Sequence, residues 1–288
     1  MHRIVILAHR YDSFDRVRYF LHEIADVWRD EGLSVEVVFG PGPFVEADLA
    51  ILHVDLTVVP ADHLAYVRQY SRVLNGRVTD ISKRRFSDQL VRPGDGYDGP
   101  VIVKTNRNCG GKSESRVARQ ATFAARWVDA MRARLGWRWR SQLKGLNYPI
   151  LPSPAHVPRG VWRNRHLVVE RFLAERQGDA YCLRTWVFLG DVETNSISYG
   201  PEPIVKSNNV TRREPVAEVP DELRAMRRKL GFDFGKFDYA IVQGRVVLYD
   251  VNRTPTVGRS PREQYLPRIR ELANGLKAYL PSPEQSLA

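Results

Sequence analysis

The stretch "FDYAIVQGRVVLYDVNRTP", residues 237–255, decides how the chain reads. It has the pattern of a β-hairpin: apolar strand, Gly244 turn, apolar strand. Asp238 stands on the way in, and Asp250 and Asn252 on the way out, beside the apolar Ile241, Val242, Val247 and Leu248. Side chains alternate faces along a strand, so Asp250 and Asn252 share one face. Pairing Val242 with Val246 across a three-residue turn, Gln243-Gly244-Arg245, predicts Asp238 opposite Asp250. Two carboxylates and an amide oxygen gathered in this way suit a hard cation such as Mg²⁺, which keeps waters and binds substrate phosphates beside one or two carboxylates. The plain alternative is a solvated strand face.

Upstream, two lysines stand in settings suited to phosphate. Lys83 lies in "DISKRRFSDQL", within a helix expected from about Ser82 to Val91, and Lys104 ends the strand "PVIVK" just before "NRNCGGKS". Glycines let backbone N–H groups approach an anion, and lysine supplies a point charge. No GxxxxGK[ST] is present, so this is not the common P-loop, and no GxGxxG follows the first strand. "LVVERFL" is a strand running into a hinge whose backbone can meet a base edge. Arg184 follows in "YCLRTWVF".

The N-terminal part reads as a small α/β layer over residues 1–75. "RIVILA", "SVEVVFG" and "DLAILHV" are strands, expected to be parallel. Between them a helix is expected from Ser13, because Phe14, Val17, Phe20, Leu21, Ile24, Val27 and Trp28 recur at helical spacing up to Gly32. "ADHLAYVRQY" reads as a second helix. His9, Arg10 and Asp12 follow the first strand, where such layers place ligands. A further long helix is expected at about 114–135.

Charge is unevenly spread. The formal net charge is +11, and residues 105–165 alone carry thirteen Lys and Arg against Glu114 and Asp129, with four of the six tryptophans. An Arg/Trp-rich element at about 126–165 suits an acidic peptide or protein, or nucleic acid; packed inward, the same pattern is an ordinary amphipathic helix. No run reaches the roughly 18 apolar residues of a membrane-spanning helix. "MHRIVILAHRYD" reads as a buried strand rather than a secretory signal. With Cys109 and Cys182 as the only cysteines, neither a disulfide framework nor a CxxC zinc site is expected. These features point to a soluble, cytoplasmic protein that does not engage membranes, with an oligomer left open.

Taken in order, Lys83, Lys104, the "NRNCGGK" loop, Glu170 in "VVERFL", Arg184, Asp238 and "DVNRTP" twelve residues later resemble the ATP-grasp superfamily. The pattern is nearest to D-alanine–D-alanine ligase and to the ligases that add glutamate to ribosomal proteins. The resemblance covers about residues 76–262. It implies an α+β ATP-grasp domain over 76–288, with a small nucleotide-gripping subdomain at about 101–185, after a Rossmann-like layer at 1–75. It also implies ATP and Mg²⁺ as cofactors, the latter as two ions, with Mn²⁺ as an alternative metal. Lys83 and Lys104 would bind phosphates, with Cys109, Gly110, Gly111, Lys112 and Ser113 folding over them. Glu170, Arg171, Phe172 and Leu173 would meet adenine; the family's ribose-contacting acidic residue has no plain match, with Cys182 at roughly that place and Asp179 or Glu175 as substitutes. Asp238, Asp250 and Asn252 would hold the metal, and Arg184 and Lys236 would face the transferred phosphoryl group. The implied reaction activates a substrate carboxylate as an acyl phosphate for attack by an amine or another nucleophile. Two alternatives remain: a kinase acting on a hydroxyl, and an inactive grasp that binds nucleic acid or an acidic partner. The chain departs from the family where Asp250 replaces the usual Glu and where the ending reads "NRTPTVG".

Overall fold

The computed structural model describes residues 2–122, 128, 131, 136–143, 148–258 and 261–280. The first layer is a four-stranded parallel sheet ordered β2-β1-β3-β4, built from β1 (Arg3–Ala8), β2 (Ser34–Phe39), β3 (Leu49–His53) and β4 (Val73–Leu74). Helices α1 (Phe20–Asp30) and α2 (Ala61–Val67) connect them. The inner strands β1 and β3 are apolar on both faces, as a covered parallel sheet requires. Because β1 leads to β2 on one side and β3 lies on the other, the chain reverses direction between β1 and β3. Open α/β sheets bind ligands at such a switch point.

Helix α1 begins at Phe20, later than Ser13. Residues Ser13–Val17 form a turn closed by the Arg16 and Val17 N–H groups on the Ser13 carbonyl, both at 2.8 Å. Residues 18–20 then pair with 255–257: the Phe20 N–H donates to the Pro255 carbonyl (2.9 Å) and the Val257 N–H to the Arg18 carbonyl (2.8 Å). A distant strand end claims backbone groups that the helical spacing had assigned to a helix.

A three-stranded antiparallel sheet ordered β6-β5-β7 comprises β5 (Val101–Thr105), β6 (Ile150–Leu151) and β7 (Leu167–Arg171). Beside it lie α3 (Lys83–Phe86), α4 (Lys112–Ala121) and α5 (Arg159–Trp162). The helix expected over 82–91 is only this four-residue turn. Beyond it the chain runs extended along β7, with the Arg171 N–H donating to the Gln89 carbonyl and the Val91 N–H to the Val169 carbonyl. The open edge of the sheet supplies partners that a helix would forgo. Of the long helix expected at 114–135, α4 accounts for the first part; most of the remainder, and with it the start of the 126–165 basic element and residues 144–147, lie outside the described residues. Within that element, Trp137 and Trp162 pack against the Val101 and Leu167 core, while Trp139 is exposed.

The third sheet orders β11-β10-β9-β12-β13, with β8 also pairing with β9. Its strands are β8 (Glu175–Gln177), β9 (Ala180–Leu189), β10 (Val192–Gly200), β11 (Arg212–Pro215), β12 (Phe234–Val242) and β13 (Arg245–Asn252). Helices α6 (Asp221–Leu230) and α7 (Arg262–Ala273) pack on it. Val187, Leu189 and Phe234 of this sheet share one core with Ile4, Ile24 and Trp28 of the first layer and Ile269 of α7. Each fully buried large apolar side chain contributes roughly 1.5–3 kcal/mol. The core therefore continues past residue 75. There Asn75, wholly buried with φ 61°, accepts the N–H groups of Asp233 and Phe234 (both 3.0 Å) and donates to the Phe234 carbonyl (2.8 Å). None of the described helices is long and apolar enough to cross a membrane.

Candidate active site

The β12–β13 hairpin does bring Asp238 opposite Asp250, by a route other than the expected one. The turn has two residues, Gln243 and Gly244, with φ 52° and 75°, so Val242 pairs with Arg245. Both residues left-handed is the geometry of a tight hairpin turn that follows strand twist. Without correction this register would pair Asp238 with Tyr249. A β-bulge at Tyr249 supplies the missing residue and restores the Asp238–Asp250 pair. It also sets Tyr249 and Asp250 together on the cleft, where Tyr249 lies under the Lys104 ammonium (5.4 Å to the ring centre) and donates its hydroxyl to the Leu173 carbonyl.

The cleft lies between this hairpin and the β5–β7 sheet, and encloses about 970 Å³ including space open to solvent. Lys83, Lys104, Glu170, Asp238 and Asp250 line it together. Each of three lysines is paired with a carboxylate: Lys83 with Asp250 (3.0 Å), Lys104 with Glu170 (2.8 Å) and Lys236 with Asp238 (2.7 Å). Thr185 Oγ1 donates to the other Asp238 oxygen at 2.9 Å. Burial alone would lower the Lys83 pKa, but Asp250, with Tyr148 and Glu170, outweighs it and holds the ammonium above its ordinary value. Lys236 is treated alike: burial opposes, Asp238 prevails, and its pKa rises.

Two carboxylates on adjacent strands, close to paired ammonium groups, fit a hard cation that arrives with anionic phosphate. They do not form an all-protein cage, and no group of three His, Cys, Asp or Glu able to hold a metal occurs among the described residues. Asn252 is more committed than its sequence position suggests. Its side-chain oxygen accepts the Thr254 N–H (2.9 Å), the Thr254 hydroxyl and the Asn108 amide (both 3.3 Å).

At the hinge, the Phe172 N–H is taken by the Pro100 carbonyl and the Arg171 N–H by that of Gln89. No partner among the described residues claims the Phe172 carbonyl or the Leu173 N–H, an acceptor and a donor in succession. Phe172 and Leu173 line the cleft.

The glycine loop carries three left-handed residues in a row, Cys109 (φ 45°), Gly110 (φ 68°) and Gly111 (φ 78°), before α4 begins at Lys112. A Cβ on Gly111 would stand 3.2 Å from Arg107 Cδ and 3.3 Å from the Ser141 carbonyl oxygen. Desolvation, with Asp250 and Asp55 nearby, pushes the Cys109 thiol up to about 11, so it is protonated at neutral pH and a poor nucleophile. Lys112 is exposed, and Ser113 donates to Asp55 (2.7 Å) in the N-terminal layer.

Two expected site residues stand elsewhere. Arg184 is held by Glu175 through Nε and Nη2 at 2.7–3.0 Å. It shares its strand face with Trp186 and Phe188, which pack in the second core, whereas its neighbour Thr185 meets Asp238. Strand alternation therefore aims Arg184 away from the phosphoryl position proposed for it. Asp179 sits exposed in the β8–β9 turn and does not line the cleft.

Several cleft and loop residues carried no signal that a single sequence displays. Tyr148 and Lys206 line the cleft, with the ammonium 5.8 Å from the ring centre. Asp55, beyond β3, accepts Ser113, Arg116 (2.8 Å), Thr254 (2.9 Å) and Tyr19 (3.2 Å). It lies across the switch point from Asp12, whose carboxyl burial and Asp55 push up to about 6.

No family model matches the sequence, and no curated protein matches it. Solved structures do. The D-alanine–D-alanine ligase from Bacillus anthracis aligns at 11% identity and a TM-score of 0.51, covering 97% of each chain. A RimK-domain ATP-grasp protein from Sphaerobacter thermophilus (12%, TM-score 0.48) and a D-cycloserine synthetase (13%, TM-score 0.47) each align over 96% of this chain and 99% of their own. At such identities the likeness is one of fold, and that fold is ATP-grasp.

Proposed function

From the ATP-grasp fold we propose that this protein is an ATP- and Mg²⁺-dependent ligase, one that activates a substrate carboxylate for attack by an amine or another nucleophile. The observation that carries the reading is the facing pair Asp238 and Asp250, each joined to its own lysine, in a cleft that also holds Lys104. In this reading Lys83 and Lys104 bind phosphate oxygens, and the Phe172 carbonyl and Leu173 N–H meet the donor and acceptor edge of adenine. Lys236 faces the transferred group, the role left by Arg184. Asp238 and Asp250 hold the metal, with Asn252 fixing the strand end. Bound there, Mg²⁺ would offset phosphate charge, the main electrostatic demand of phosphoryl transfer.

The substrate carboxylate attacks the γ-phosphorus, the bond to the β-phosphate oxygen breaks, and ADP leaves. The nucleophile then adds to the acyl carbon and inorganic phosphate departs. The lysines lower the cost of charge on the transferring group. The glycine loop excludes water that would hydrolyse the acyl phosphate. A cationic stretch such as 105–165 suits an acidic peptide or protein as one substrate.

The test is ADP release with Mg²⁺ across pools of amino acids, small acids and acidic peptides, with hydroxylamine added. Hydroxamate formation supports the ligase. ADP release with a phosphorylated hydroxyl product and no hydroxamate identifies a kinase instead. Loss of turnover in the double variant Asp238→Asn, Asp250→Asn is expected; an unchanged ADP release rate there refutes either catalysis.

A further inference from the structure

We infer that Arg253 and Thr57 are positioning residues that hold the glycine loop over the cleft from the end of β3, so that loop closure is set by the N-terminal layer. The inference rests on the reading above only in taking that loop as the phosphate cover.

Arg253 follows Asn252 directly and is wholly buried. No carboxylate lies within ion-pair distance of its guanidinium among the described residues. Instead it donates to four backbone carbonyls: Val54 (2.9 Å), Thr57 (3.0 Å), Leu56 and Val78. Burying a guanidinium is costly unless its N–H groups are satisfied. Here residues 54–57, irregular backbone beyond β3, offer carbonyls that need donors. The planar fork of Arg fits several carbonyls at once, which the point charge of Lys would not reproduce. The segment is thereby fixed to the end of the strand that carries Asp250.

What the segment then does is directed at the loop. Thr57 presents both its N–H (2.9 Å) and its hydroxyl to Glu114 Oε1, and its hydroxyl oxygen accepts the Asn108 N–H at 3.0 Å. Two residues earlier, Asp55 accepts Ser113 and Arg116. The loop is therefore pinned on both sides of Cys109, Gly110 and Gly111, the three left-handed residues that have no packing side chain of their own except the thiol. Asn108 also reaches Asn252, closing a circuit through the loop, β13 and the N-terminal layer.

The test is amide hydrogen exchange in the full-length protein, which needs no substrate. Thr57→Val keeps the shape and removes the hydroxyl; Thr57→Ser keeps the hydroxyl; Arg253→Met removes the fork. Exchange over 108–113 is expected to rise about tenfold in Thr57→Val and at least as much in Arg253→Met. Thr57→Ser should stay near wild type, with β1 and β5 unchanged in the threonine variants. With ATP and Mg²⁺, Thr57→Val should raise KM for ATP more than it lowers kcat, and Thr57→Ser should restore KM. Unaltered exchange over 108–113 in Thr57→Val, or equal loss in Thr57→Ser, overturns the inference. If the wild-type protein binds no ATP, the ligase reading fails, while the exchange result still decides the pinning.

Discussion

Of the two proposed metal carboxylates, Asp250 is neutralised by Lys83, a proposed phosphate lysine, and Asp238 by Lys236, which leads to an unusual prediction. A metal ion offered alone must displace the Lys83 ammonium from Asp250, 3.0 Å away. The lysine side chain is 4% exposed and the aspartate 28%, so the pair is neither fully dry nor freely solvated. A charge-assisted hydrogen bond in such a setting is worth about 1.5–3 kcal/mol. Replacing Lys83 by Met should therefore tighten metal binding in the absence of nucleotide by about 10–100-fold. The same variant should bind ATP more weakly, because a phosphate partner is gone. Lys104→Met gives the contrast: its partner is Glu170, so metal binding alone should hardly change while ATP binding falls. Mn²⁺ titration followed by electron paramagnetic resonance, with and without ATP, reads all of this. Equal or weaker Mn²⁺ binding in Lys83→Met without nucleotide would show that Asp250 is not a metal ligand restrained by Lys83. In the wild type, metal and nucleotide should each tighten the other's binding by the same factor.

Three further outcomes follow from single sites. Arg184→Gln leaves Glu175, with 6% of its side chain exposed, buried without its partner; stability should fall by about 3–5 kcal/mol in denaturant titration, while KM for ATP in the folded variant stays near wild type, and a selective loss of kcat would return Arg184 to the catalytic group. Asp12 has its carboxyl raised from 3.8 to about 6 by burial and by Asp55, so its folded form retains a proton that the unfolded form releases, and its ionisation destabilises the fold as pH rises from about 4 to 6. Asp12→Asn should therefore match wild type near pH 4 and exceed it by about 1–2 kcal/mol above pH 7, after allowance for solvent screening; a difference independent of pH would refute the assignment. Gly111→Ala forces a Cβ onto a residue at φ 78° and should cost about 1–2 kcal/mol of left-handed strain, read as lost stability in denaturant titration; an unchanged midpoint would mean the loop relaxes out of that conformation.

Local patterns carried much of the architecture, because strand alternation, glycine loops and the spacing of Asp238 and Asp250 act over short distances. The parallel first layer and the hairpin were legible for that reason. What escaped were effects set by distant partners. Nothing near Ser13 announces that residues 18–20 pair with 255–257, and nothing in "SDQLV" reveals an open strand edge beside it. The hairpin shows how an outcome can be right for another reason: a shorter turn and a bulge at Tyr249 cancel, so counting residues between the aspartates gave their pairing but not the path. The face that Arg184 occupies was hidden because a motif's order says nothing about sheet faces, although alternation from Trp186 indicates it. Asp55, Thr57 and Arg253 join segments up to 199 positions apart, and no window of the sequence contains them together.

The continuity of apolar packing between the first layer and the β9–β12 sheet has a mechanical consequence. Prising those two apart would wet Trp28, Leu189 and Phe234 at once, whereas the β5–β7 sheet keeps a separate interior of Val101, Val103, Leu167 and Val169. It meets that joined base through polar bonds instead, such as the Tyr249 hydroxyl on Leu173 and the Asn108 amide on Asn252. Under the proposed function, a nucleotide would be admitted most cheaply by a rocking of the small flap against a stationary base.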